Sequence, residues 1–256
     1  MAKKNNNTIQ PWLLFLISAL LLSAGWLMKP FPIFIFFGFA PLFAIADQAK
    51  ENDDFWIHTE FILLTLFTAF FAAFVFDSTH LIAAILHAIV FTFAFLAYSF
   101  SFQNLGSRLG KFTIIFFWLG IEYVLLKLPW RNDIIFLADA VSLKTSWLNW
   151  TGYTGYLGAT IWILSTNLLL YFAVLKGRLN AGFLVLTAIC LIGPAVASYF
   201  ISVPYVNRDQ MITLYTQGKS TISFYSKQGE LIPRTGAWIS LLILLLAFVK
   251  NQTKKK

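Results

Sequence analysis

The sequence predicts an all-α integral membrane protein: an eight-span transmembrane helical bundle carrying a small extracytoplasmic β-hairpin. Three observations predict it. The 256 residues are 59% hydrophobic and only 12% charged, with a mean hydropathy of +0.73, whereas soluble domains carry about 25% charged residues. One globule cannot hide that much apolar surface, so the bilayer must act as solvent. Apolar runs near the ~20 residues needed to cross a membrane recur between short polar breaks. One polar, strand-like stretch, "TISFYSKQGELIP", interrupts this pattern near the C-terminus.

The elements follow in order. "MAKKNNNTIQ" leads into the first span, 11–28, with no small-residue cleavage site behind it, so this run is expected to remain as a signal anchor. Pro30 and Pro32 end it, and 31–46 forms a short, Phe-rich second span. "DQAKENDD" is the first polar loop. Spans three and four, 55–76 and 80–100, are followed by "SFQNLGSRLGK" and then by span five, 112–128. Spans six and seven are 156–175 and 182–201, and the last is 236–249. The chain therefore divides into a seven-span domain, 1–201, a short extracytoplasmic hairpin loop, 202–235, and a last helix with a basic tail, 236–256.

The net charge of +8 does not indicate nucleic acid, because the basic residues sit in short clusters between apolar runs. They read as topology signals and as contacts with anionic lipid. With the N-terminus in the cytoplasm, the inner loops hold 11 of the 19 basic residues and the outer side holds 8. The even span count then returns the C-terminus to the cytoplasm.

Two outer segments are more than turns. Residues 127–156 are apolar in patches, and Trp130, Trp147, Trp150, Tyr153 and Tyr156 suit the headgroup zone. This segment is expected to dip into or lie on the outer leaflet. In 202–233, "MITLYT" and "STISFY" flank Gln217-Gly218-Lys219 and predict a hairpin of Met211 to Thr216 with Thr221 to Tyr225.

Few residues offer chemistry. The single cysteine, Cys190, lies mid-span with no charge near it in sequence, and reads as an inert buried thiol. Glu122 is an intramembrane acid, a functional candidate by default. Its structural alternative is a pairing with Lys127 or with a polar group on a neighbouring helix. Asn167 reads as an interhelical hydrogen-bonding residue. His58 and Glu60 lie near an interface. His80 and His87 share a helix face but lack a third ligand, so no metal is expected. No cofactor is expected either: GxSxG, HExxH, the P-loop and GxGxxG are all missing.

The stretch "SWLNWTGYTGYLGATIWILSTNLLLYF" resembles the membrane domain of the apolipoprotein N-acyltransferase family, Bacteroidetes-type. The matching positions are Trp147, Trp150, Tyr153, Thr154, Gly155, Gly158, Trp162, Ile163, Leu164 and Asn167. Upstream, Trp118, Glu122, Tyr123, Pro129 and Trp130 in "FWLGIEYVLLKLPW" are similar to a second family pattern, and "PFPIFIFFGFAPLFAI" to a third. The resemblance implies a multi-pass protein of the bacterial inner membrane, with both termini cytoplasmic and phospholipid and a lipoprotein precursor as partners. In that family a Glu-Lys-Cys triad on a nitrilase-like domain between spans seven and eight transfers the acyl chain through a thioester.

Here only 34 residues separate Ile201 from Gly236, and none is cysteine. An independent domain needs roughly 50 or more. Thr221, Phe224, Tyr225, Gly229 and Glu230 resemble the family's exit from that domain. The resemblance thus implies a membrane domain, non-catalytic alone, with Glu122, Tyr123, Pro129, Trp130, Trp147, Trp150, Tyr153, Gly155 and Asn167 as lipid-interface candidates. The alternatives are a platform for a separately encoded nitrilase-like subunit, an acyltransferase using Glu122 and the Trp-rich loop, and an inserted remnant.

Overall fold

The computed structural model describes residues 9–28, 31–52, 55–106, 110–129, 134–203, 205–217 and 231–254. Among them the secondary structure is entirely helical. The main helices are α1 (Pro11–Leu27), α2 (Ile35–Gly38), α3 (Ala40–Asn52), α4 (Phe55–Ala73), α5 (Leu81–Leu105) and α6 (Thr113–Leu126). They continue as α7 (Thr151–Thr154), α8 (Gly158–Leu170), α9 (Ala181–Phe200), α10 (Arg208–Gln217) and α11 (Leu231–Lys254).

Among the described residues five stretches are long and apolar enough to cross a membrane: Pro32–Ala49, Ser78–Leu105, Gly158–Leu175, Ala181–Phe200 and Leu231–Thr253. Pro11–Leu27, His58–Ala73 and Thr113–Leu126 are shorter apolar helices. All of these overlap apolar runs read from the sequence, but by length and composition five, not eight, are candidate spans. Burial separates centre from periphery. The window in Pro32–Ala49 is 72% buried, whereas that in Ala181–Phe200 is 11% buried and presents Leu186, Ile189 and Phe200 outward. A helix apolar all round belongs inside a bundle or against lipid, and this fold uses both.

Proline and glycine set the first corner. Pro11 opens α1, where a missing N–H costs nothing. Gly25 lies against Ile35, so an added Cβ would sit 2.8 Å from the Ile35 nitrogen. Pro41, near the start of α3, cannot continue a hydrogen-bond ladder, and the helix breaks at Phe39. Asn167 on α8 repairs the break: its Oδ1 accepts from Phe39 N at 2.8 Å and Ala40 N at 3.1 Å. Its Nδ2 donates to Ile35 O and Ile163 O, both at 2.9 Å.

Lys111, read from the sequence as a cytoplasmic loop cation, is buried at 1% exposure. It pairs with Asp47 on α3 and donates to the Tyr171 hydroxyl at 2.7 Å. Its ammonium lies 4.4 Å from the Tyr171 ring centroid and 5.2 Å from that of Phe102. Tyr171 opens the π-helical turn Tyr171–Leu175 that ends the α8 span.

The expected hairpin needs correction. Met211 to Thr216 is helical, within α10, and Thr221 to Tyr225 lies outside the described residues. The reason is local. Asn207 Oδ1 accepts from Gln210 N at 2.7 Å while Gln210 Oε1 accepts from Asn207 N at 3.1 Å. This reciprocal capping box starts a helix and outweighs the β propensity of "MITLYT". The last helix begins at Leu231, ahead of 236.

Candidate functional site

Non-helical backbone inside a bundle must find partners for its N–H and C=O groups, because lipid offers none. Residues 134–157 form such a segment, built of two short 3₁₀ turns, Leu137–Val141 and Thr145–Trp147, and the single turn α7. Phe136, Leu137, Ala138 and Val141 are buried in the core. The segment, expected from the sequence to dip into or lie on the outer leaflet, thus packs its first turn into the protein core.

Side chains take its first polar groups one by one. Arg208, at the start of α10, donates through Nη2 to Ile134 O and through Nη1 to Asp139 Oδ2, the latter at 3.2 Å. His87 Nε2, on α5, accepts from Ile135 N at 3.0 Å. Asp139 Oδ2 accepts from Phe136 N at 2.8 Å. Glu122 Oε1, on α6, accepts from Leu137 N at 2.9 Å. Three successive backbone amides are thus held by a histidine, an aspartate and a glutamate.

The tautomer of His87 follows from its partners. Its Nδ1 lies 2.7 Å from Ala83 O, a group that only accepts, so Nδ1 carries the proton and Nε2 is the acceptor. Phe70 and Phe74 flank the ring at centroid distances of 5.2 and 5.7 Å. Tyr156 also donates to Asp139. Burial pushes the Asp139 carboxyl above its ordinary value, while the Arg208 charge, Tyr156 and the Phe136 N–H oppose that rise. Burial likewise raises the Tyr205 phenol, with Asp139 and Asp209 adding to it.

This network floors a cleft of about 630 Å³. Trp26 from the end of α1, Ala73 from the end of α4, Ile135 and Leu143 supply apolar walls. Asp139, Tyr205, Arg208 and Asp209 supply polar ones. A second hollow of similar volume lies between α6 and α11. It is apolar apart from Thr235, whose hydroxyl turns back to Leu231 O at 2.5 Å. It offers no chemistry.

Of the residues singled out from sequence and described in the structure, Tyr156 lines the cleft and the others do not converge on it. Glu122 is fully buried; besides Leu137 N, Oε1 accepts from Trp118 Nε1 and Thr160 Oγ1, each at 3.2 Å. These bonds are the structural alternative, made to neighbouring groups; the Lys127 ammonium instead lies over the Tyr123 ring at 5.2 Å. Trp147 O accepts from Trp150 Nε1 at 2.8 Å, and Trp150 packs edge-on to Trp162 at 5.9 Å. Gly155, at φ +81, makes the turn into α8, where a Cβ would be strained. Tyr153 and Pro129 are exposed, and Trp130 lies outside the described residues. Asn167 repairs the helix break described above. The motif is therefore a packing device for the segment and α8.

Cys190 is half-buried, and its Sγ accepts from Thr166 Oγ1 at 3.3 Å on the α8–α9 face. His80 stacks on Phe74 at 4.9 Å. Among the described residues no group of three or more His, Cys, Asp and Glu side chains could hold a metal ion. The cleft residues Asp139 and Arg208 were missed from sequence. Asp139 stands in the apolar run "FLADAV", the same signal that singled out Glu122. Comparison with protein-family models, with curated proteins and with solved structures gives no match.

Proposed function

We propose that this chain is an eight-span protein of the bacterial inner membrane, both termini cytoplasmic, that binds phospholipid or a lipoprotein precursor at its cleft without turning it over. The cleft carries this reading. It joins apolar walls to an Arg208–Asp139 pair and Asp209, the mixture that a ligand with a greasy body and a charged head requires. The motif from Trp147 to Asn167 supports kinship with the apolipoprotein N-acyltransferase membrane domain. The short interval between Ile201 and Gly236 supports the absence of that family's chemistry. The reading of Glu122 as an outer-leaflet acid loses ground, because its carboxyl is fully buried and engaged by the segment.

The test offers the purified protein a labelled phospholipid and a diacylated lipopeptide. Saturable binding without acyl transfer is expected, with Leu143→Arg at the cleft wall weakening binding. Acyl transfer by the chain alone would overturn the non-catalytic reading. Binding indifferent to Leu143→Arg would remove the cleft from it.

A further inference from the structure

We propose that His87 is an acid-released latch: neutral, it seats residues 134–141 and shapes the cleft; protonated, it lets them go. The inference does not depend on what the cleft binds. It stands on the contact between His87 Nε2 and Ile135 N at 3.0 Å and on the position of Ile135 in the cleft wall.

The chemistry has one direction. Neutral His87 has a single acceptor nitrogen, and it is spent on Ile135. Protonation makes both ring nitrogens donors, so Nε2–H would confront the Ile135 N–H. The seated arrangement then holds two opposed donors at hydrogen-bonding distance. A buried polar group stripped of its partner costs more than the bond had contributed.

The charged neighbours push the same way. From α10, Arg208 donates to Ile134 O, beside the amide that His87 holds, so its cation would repel an imidazolium. From α4 and the turn after it come the rings of Phe70 and Phe74. From the 3₁₀ turn that leads into α5 comes His80, stacked on Phe74. The segment contributes Asp139, already engaged by Arg208 and Tyr156. α6 contributes Glu122, bonded to Leu137 N. α11, which packs on α5, carries Arg234 in its first turn.

Asp139 cannot be the acid-labile member. Its carboxyl is raised by burial, and a raised carboxyl contributes stability that is present in acid and lost as pH rises through its folded value. That is opposite in sense to the release argued for His87. Histidine is also the side chain whose ordinary range lies nearest neutrality.

Hydrogen exchange of the full chain in lipid nanodiscs tests the latch, at about pH 8 and about pH 5, either side of the ordinary histidine range. Rates are corrected for the intrinsic pH dependence of exchange. Protection at Ile135 should fall about tenfold in acid, the scale of one buried amide losing its partner, while α8 amides keep theirs. His87→Gln presents an amide oxygen near the place of Nε2 and does not titrate, so its segment should keep its protection in acid. Unchanged wild-type protection overturns the proposal without recourse to any variant. So does the same acid loss in His87→Gln, or a loss spread evenly through the helices.

Discussion

Asn167 shows what one buried amide does in this fold. All four of its hydrogen-bonding positions are filled, two by the free amides at the α2–α3 break and two by carbonyls. The first amides of a helix have no partner of their own, and here water cannot reach them. Asn167→Leu keeps the size and removes the bonds. It leaves Phe39 N and Ala40 N buried without an acceptor, and should cost about 2–6 kcal/mol at ~1–3 kcal/mol per orphaned group. Thermal unfolding in detergent reads this directly. A midpoint equal to wild type would show that the break closes by other means. Glu122 plays the matching part for the inserted segment, gathering Trp118, Leu137 and Thr160 on one oxygen.

At the scale of elements, the fold joins helices that the sequence announces to an irregular segment that it does not. Apolar runs mark the helices because lipid and core both select for greasy side chains over a helical length. Glu122 and Asn167 were legible for the same reason, as polar residues out of place in such runs. Phe136 N is held locally, by Asp139, but the partners of residues 134, 135 and 137 were not legible, because they come from α10, α5 and α6, at sequence distances that no local pattern encodes. The capping box of α10 was legible in principle. Its spacing, Asn207 to Gln210, lies in four residues, yet the alternating "MITLYT" carried more weight. Arg208 is the hinge of this arrangement, since one guanidinium serves both Ile134 O and Asp139. Arg208→Met leaves a carbonyl and a half-buried carboxylate without that cation. It should destabilise the protein by about 2 kcal/mol, below the ~3–5 kcal/mol of a fully buried pair because the pair is partly wet. Arg208→Lys should recover only part of this, lacking the two-pronged geometry. Full recovery with lysine would show that charge alone matters.

Across the whole molecule, helix lengths and the inserted segment account for each other. At ~1.5 Å per residue, the 14 residues of α6 span about 21 Å, short of the ~30 Å hydrocarbon core. Residues 134–141 follow α6 and are largely buried beside it, so the bundle fills with folded backbone the depth its shorter helices leave open. Irregular backbone survives at such depth only when protein surrounds it, which is what the His87, Glu122, Asp139 and Arg208 contacts accomplish. The proposed topology can be tested. The cleft gathers the C-terminal ends of α1 and α4 with the loop that follows α6, so the eight-span proposal puts these on one side, and Lys176 beyond α8 on the other. With Cys190→Ser as background, a single cysteine is placed at exposed Ser146, at exposed Lys176 or at exposed Gln252, and intact cells are treated with an impermeant maleimide. Ser146→Cys should label at once, and Lys176→Cys and Gln252→Cys only after lysis. Labelling of Gln252→Cys in intact cells would make the span count odd, and labelling of Lys176→Cys there would invert the bundle.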